Sequence, residues 1–365
     1  MKLETLYKLS TKGATQIIDM EIIGDTYTRT WGQLDGKMQT KSTTAKPKNV
    51  GRSNETTAED QAILEAEAVW TKKQKTNYST SQSAPVTVNL PMKVKVLQDQ
   101  IKNISYPCIS TPKLNGVNGT YRLVDDVLSL TSRGGEPLAP IPHLEFEVRI
   151  AMEQLGSNEL NGELYIHGEF LQDITSAVKK PKELSKRLEF HIFDIADSDA
   201  VYDKRRDLMI DVELATEDFE FVTFLTGTEC EDMNDIEIHY NQCVAANLEG
   251  TVVKNLDGLY KHNTRSTNQF KYKKAQDAEF KTSAYSFDKN GHVVFLCYVD
   301  STCTTTFKVK PKGTNEERLA MAADADNYIG KWLKVEYEML SKDGIPQKPV
   351  GIMFRKVDEN GEAIE

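Results

Sequence analysis

Pro112-Lys113-Leu114-Asn115-Gly116 closes the apolar run Cys108-Ile109-Ser110-Thr111 and opens a turn, and the lysine in it decides how the rest of the chain is read. A turn at the edge of a sheet holds such a side chain still, while the glycine lets backbone come close to a bound molecule. A lysine attacks phosphorus only as the neutral amine, so its surroundings must favour proton loss through desolvation or nearby positive charge. Taken alone, Lys-x-Asn-Gly is most often an ordinary turn.

The segments that follow change that reading. Ser132-Arg133-Gly134-Gly135 comes nineteen residues on, then Asn161-Gly162-Glu163-Leu164, then Phe190-His191-Ile192-Phe193-Asp194. Leu248-Glu249-Gly250-Thr251-Val252-Val253-Lys254 and Phe270-Lys271-Tyr272-Lys273 complete the series. In this order and at these separations the chain resembles the ATP-dependent DNA ligases, within the covalent nucleotidyltransferases that include RNA ligases and mRNA capping enzymes. The family reads K-x-D-G, S-R-x-G, D-G-E, F-D, E-G-x-x-x-K and K-x-K. All six have counterparts here over roughly residues 92–280, two of them with Asn for Asp (Asn115 and Asn161).

The resemblance implies a role for each matched side chain. Lys113 would attack the α-phosphate of ATP and carry AMP as a phosphoramidate. Thr111 would help read the adenine edge, and Phe193 would stack on the adenine face. Arg133 and Glu163 would hold the ribose. Glu249, with Glu163, would serve a divalent metal, expected to be Mg2+ because phosphoryl chemistry needs a hard cation. Lys254 would complete the nucleotide site, and Lys271 and Lys273 would neutralise the α-phosphate as charge builds.

Two departures from the family stand out. Asn115 replaces the aspartate of K-x-D-G and removes a charge that Asp194 is a candidate to supply. Asn118 stands where the family often has an arginine on the nick phosphate, and Arg122 is the nearest basic residue in sequence.

Composition bounds the rest. Charged residues are 27% and hydrophobic residues 39% of 365, a globular mix. No run approaches the ~20 apolar residues of a membrane helix, and MKLETLYKLSTKG lacks a secretory core, so a cytoplasmic protein of a bacterial or phage-infected cell, a monomer without a membrane partner, is expected. Five scattered cysteines form no C-x2-C pair, which speaks against a zinc ribbon and against NAD-type ligases; Cys297 and Cys303 could lie close, but free thiols are the simpler reading. The net charge is −10, yet residues 1–110 hold 15 basic and 11 acidic residues, a balance of +4. Local patches set attraction to phosphates.

Residues 4–42 alternate apolar runs with turns at Lys12-Gly13, Gly24-Asp25 and Asp35-Gly36, as in a small antiparallel sheet. A helix over ETTAEDQAILEAEAVWTKKQKT follows, acidic early and basic late. Trp31-Gly32-Gln33 with this helix resembles the WGR domain, a nucleic-acid-binding module elsewhere, and Lys37, Lys41, Lys46, Lys48, Arg52, Lys72, Lys73 and Lys75 would form its footprint. Helices are expected near 143–155, 171–187 and 234–247. The strand-rich tail, with a helix near 314–325, resembles the OB barrel of DNA ligases, and Arg355 falls where the family orients pyrophosphate.

The expected architecture is therefore α+β: a WGR-like domain (1–78), a linker (79–91), a nucleotidyltransferase domain of the ATP-grasp-like ligase adenylation type (92–278) and an OB-fold barrel (279–365). The expected activity is sealing of nicks in double-stranded DNA with ATP. The alternatives are an RNA ligase or capping-type nucleotidyltransferase, and a nick-binding protein whose catalysis is weakened by Asn115 and Asn118.

Overall fold

The computed structural model describes residues 1–10, 14–74, 78–81, 89–300, 304–357 and 363–364. The expected turn at Lys12-Gly13, Lys75, residues 82–88 of the expected linker and Cys303 lie outside these residues.

The first unit is an antiparallel meander of β1 (Leu6–Leu9), β2 (Thr15–Ile23), β3 (Thr26–Gln33) and β4 (Met38–Thr44), in chain order. Alternation along β2 turns Ile18, Met20 and Ile22 to one face, where Leu6 joins them against Ala62 and Ala66 of α1 (Ala58–Gln74). Thr57 starts that helix by accepting from the Asp60 backbone, and Trp70 ties its far end to the carbonyl of Glu4 at 2.8 Å. Ser79 pairs with Tyr7, while Asn89 and Leu90 are bound by Arg122 and Asn263. Both ends of the expected linker 79–91 are thus bound to the units they adjoin.

The second unit holds two five-stranded sheets. Its elements are β5 (Lys93–Val96), β6 (Cys108–Lys113), β7 (Val117–Val124), β8 (Val127–Ser132), α2 (Pro142–Leu155), β9 (Glu159–Tyr165), α3 (Leu171–Lys179), β10 (Glu189–Ile195), α4 (Tyr202–Ala215), β11 (Val222–Phe224), β12 (Thr228–Cys230), α5 (Met233–Ala245), β13 (Gly250–Asn255) and β14 (Arg265–Tyr272). One sheet runs β11-β10-β9-β7-β8 and the other β12-β6-β13-β14-β5. Central position in the second sheet explains the four consecutive buried residues Cys108–Thr111. The helix α2 buries Leu144, Val148, Ala151, Met152 and Leu155 along one stripe and ends at Gly156 in the left-handed region.

Sequence periodicity misses α4. Its buried face is Tyr202, Arg205, Met209 and Val212, so an arginine interrupts the apolar stripe. That arginine is fully buried and forks onto Asp194, with Nε 2.6 Å from Oδ1.

The third unit is a closed barrel in the order β15-β16-β17-β19-β18, with the OB-like layout expected for the tail. It comprises β15 (Gln276–Phe287), β16 (Val293–Tyr298), β17 (Thr306–Pro311), α6 (Asn315–Ala323), β18 (Trp332–Tyr337) and β19 (Val350–Phe354). Closure comes from β15, whose first half pairs with β18 and second half with β16 across a register shift near Thr282. Phe280, Phe295, Phe307, Val309 and Val335 fill the interior. A capping box between Thr314 and Glu317 starts α6. Among the described residues no helix is long and apolar enough to cross a membrane, and Cys108, Cys230, Cys243 and Cys297 are free.

Candidate active site

The two sheets of the second unit face each other across a cavity of about 810 Å3. On one wall, β6 carries Thr111 and, at its end, Lys113. The register places Thr111 opposite Val252 and Val252 opposite Lys271, so three strands present one row to the cavity. Glu249 precedes β13 and donates its backbone N–H to the carbonyl of Lys113 at 3.0 Å. That fixes the carboxylate beside the amine. Lys254 lies further along β13, and Lys273 follows β14.

The opposite wall supplies Glu163 from β9, Phe193 from β10 and Arg133 just beyond β8. The turn after Lys113 reaches this wall through Gly116, where a Cβ would lie 2.3 Å from the carbonyl oxygen of Leu164. Only glycine permits that approach, and it brings the Gly116 N–H onto the Glu163 carboxylate. Thr111, Lys113, Arg133, Glu163, Phe193, Glu249, Lys254, Lys271 and Lys273 all line the one cavity.

Charge is tightly arranged. Glu249 receives Lys113 on Oε2 and Lys273 on Oε1, the latter at 2.8 Å. Burial pushes its carboxyl up, but the two ammonium groups outweigh this and hold it below the ordinary glutamate value. Burial raises Glu163 to about 7, with Lys113 and Arg133 opposing and Glu249 adding to the rise. Burial, then the nearby Lys273 and Lys113, lowers Lys271. Lys254 is lowered by burial to about 8; it donates to the Phe193 carbonyl at 2.6 Å and sits 4.4 Å from the Tyr202 ring centre. Phe193 is half-buried and lines the cavity, with the Lys254 ammonium 5.7 Å over its ring.

Two expectations fail on geometry, and Arg122 offers no substitute at position 118. Asp194 cannot replace the missing carboxylate at 115: it is buried and occupied by Arg205 and by Gln269 at 3.1 Å, outside the cavity lining. Arg122 faces away and is held by Asn89, Thr131 and Glu159. Arg355 is tied to Glu279 on the barrel and does not line the cavity. Asn115 and Asn118 do line it, Asn115 donating to the Met339 sulfur at 3.3 Å.

Sequence reasoning also misses the barrel's contribution. Glu338, Met339, Gln347 and Lys348, from the connection between β18 and β19, close one side of the cavity. No motif marks them, because their arrival depends on how the barrel docks. Among the described residues no group of three or more His, Cys, Asp or Glu side chains forms a metal cage.

Residues 88–273, just over half of the chain, match the family model described as the ATP dependent DNA ligase domain. The chain belongs to this family. The match spans the two sheets and every side chain of the cavity wall except those from the barrel. No curated protein matches the chain. Among solved structures, the ligase fold is shared with a Lig E DNA ligase described in a study of DNA binding with a minimal scaffold, at 20% identity and a TM-score of 0.57, covering 73% of this chain and 100% of that one. It is shared too with a structure described as "Pmar-Lig_Pre.", at 15% identity and a TM-score of 0.64, covering 82% of this chain and 74% of that one. As an ATP-dependent DNA ligase, the chain takes ATP and DNA as its substrates, and the covalent lysyl-AMP mechanism is typical of its family.

Proposed function

We propose that this ligase seals nicks in duplex DNA with Lys113 as the residue that carries AMP. The observation behind this is the convergence of nine side chains from separate strands and turns on one cavity, with Lys113 and Lys273 sharing the carboxylate of Glu249. In the first step the Lys113 ammonium, held by the Glu249 carboxylate, gives up a proton to solvent and its nitrogen attacks the α-phosphorus of ATP. The P–N bond forms as the bond to the pyrophosphate oxygen breaks. Lys271 and Lys273, both on the cavity lining, neutralise charge on the α-phosphate in this reading. Arg133 and Glu163 hold the ribose, Phe193 and Thr111 take the adenine, and Lys254 supports the Phe193 backbone. AMP then passes to the 5′-phosphate of the nick, and the 3′-hydroxyl displaces it.

Mg2+ is bound with one or two carboxylates plus phosphate oxygens, so Glu163 and Glu249 suit it without a protein cage. Bound there, it would supply a hard positive charge beside the phosphates.

The chain is read as three units at 1–78, 92–278 and 279–365, acting as a cytoplasmic monomer of a bacterial or phage-infected cell. The first, WGR-like by Trp31-Gly32 and the following helix, is proposed to touch the DNA backbone. The Arg29 guanidinium lies 4.3 Å over the Trp31 ring, with Lys41 opposite it in register, and Lys8 and Lys73 lie 5.5 and 5.7 Å over the Tyr78 ring. Lys48, by contrast, is engaged with Glu65 at 2.9 Å.

The test is covalent labelling of the full chain by α-labelled ATP with Mg2+. Lys113→Ala should abolish the label, and nicked duplex should discharge it from the wild type. A folded preparation that takes no label, or a label that survives Lys113→Ala, overturns the assignment.

A further inference from the structure

The connection from β18 to β19 is a small hairpin. Glu338 N–H donates to the Gln347 carbonyl at 3.0 Å, and Gln347 N–H returns to Met339 at 2.8 Å. Its turn closes between Ser341 and Gly344. The hairpin touches the second unit at three points: Glu338 with Lys273 at 3.0 Å, Met339 with Asn115 at 3.3 Å, and Lys342 with Asp173 at 3.5 Å.

Of these, the first is chemically unusual. The Glu338 carboxylate lines the nucleotide cavity and bridges Lys273 to Lys348, the latter at 2.7 Å. An alternating chain results: Lys113, Glu249, Lys273, Glu338, Lys348. Lys273 holds one carboxylate on each side, although a nucleotide phosphate is also expected beside it. A carboxylate and a phosphate oxygen cannot both sit against one ammonium without like-charge repulsion. With Lys113, Arg133, Lys271, Lys273 and Lys348 around it, the cavity has cations to spare, and an internal anion lowers their mutual repulsion.

We propose that Glu338 is the site's own substitute for nucleotide phosphate: it holds the barrel hairpin over the cavity through Lys273 and Lys348, and a nucleoside triphosphate must displace it. This rests on the ligase reading above. Glu338 is then a gating residue that sets ATP affinity and takes no part in bond making.

The experiment measures KM for ATP and kcat of Lys113 labelling in the full chain for wild type, Glu338→Gln and Lys342→Ala. Glu338→Gln removes the competing charge at nearly constant shape and should lower KM about three- to ten-fold, with KM moving more than kcat. Lys342→Ala loosens the same hairpin without freeing Lys273 and should leave KM within about two-fold, as for an exposed pair. A KM raised or unchanged by Glu338→Gln, or an equal fall with Lys342→Ala, overturns the proposal. ATP binding by equilibrium dialysis to Lys113→Ala, with and without Glu338→Gln, reads the exchange where no covalent label forms. A wild type that binds ATP but takes no label counts against the Lys113 assignment alone; equal ATP binding with and without Glu338→Gln counts against the gate.

Discussion

Lys113 and Glu249 are joined twice, by a backbone hydrogen bond from the Glu249 N–H to the Lys113 carbonyl and by an ion pair between their side chains. The first depends on the register of β6 against β13, so the second is set by the sheet and not by chance rotamers. Glu249 also carries Lys273, which makes it the hinge of the site's charge balance. Glu249→Gln keeps the shape and removes the charge. The expected result is a fall of about 100-fold or more in the single-turnover rate of Lys113 labelling, the scale of losing one preorganised electrostatic group. Circular dichroism should show the fold intact.

Glu163 makes stability depend on pH in an uncommon direction. Its carboxyl is raised by burial to about 7, above the ordinary value of 4.5. Between these limits the folded chain keeps a proton that the unfolded chain has lost. The Glu163 contribution to stability therefore falls as pH rises from about 4.5 to 7 and stays unfavourable above that. Glu163→Gln cannot ionise. Its Tm relative to wild type should rise across this window and level off above it, as measured by thermal unfolding from pH 4 to 9 without nucleotide. A Tm difference that stays flat with pH would contradict the assignment.

Asn115 offers an amide where the family has a carboxylate, and it faces the cavity against Met339. A charge here would join Glu163 and Glu249 on the lining of one cavity. Asn115→Asp should lower the Mg2+ concentration for half-maximal labelling by about ten-fold and speed the sealing of pre-adenylated nicks. A titration of Mg2+ in both assays checks it.

Asp194 and Arg205 are a buried pair that does not line the cavity, although Asp194 also accepts from the lining Gln269. Asp194→Ala strands the guanidinium in the core and should cost about 3–5 kcal/mol in denaturant unfolding. The KM for ATP of the protein that remains folded should be near wild type, since the Asp194 carboxylate does not itself line the cavity. A selective rise in KM without lost stability would return Asp194 to the site.

Much of the fold was readable from local chemistry. Alternation in Thr15–Ile23, the apolar stripe of Pro142–Leu155 and the capping box at Thr314 and Glu317 each determine their element from nearest neighbours. The helix Tyr202–Ala215 was not readable, because Arg205 in its buried stripe is tolerable only with Asp194 across from it.

The same division holds for the site. The resemblance to the ligase series names the nine side chains from the order and residue types of six short segments. Direction was decided by tertiary structure. Asp194, a carboxylate that could have replaced the one missing at 115, turns inward to an arginine, and Arg355 turns to Glu279. Glu338 and Lys348, which carry no motif, enter the cavity because the barrel docks there. Sequence alone determines what a segment can do locally, but which charges meet depends on contacts between residues far apart in the chain, and those are set only when the units pack.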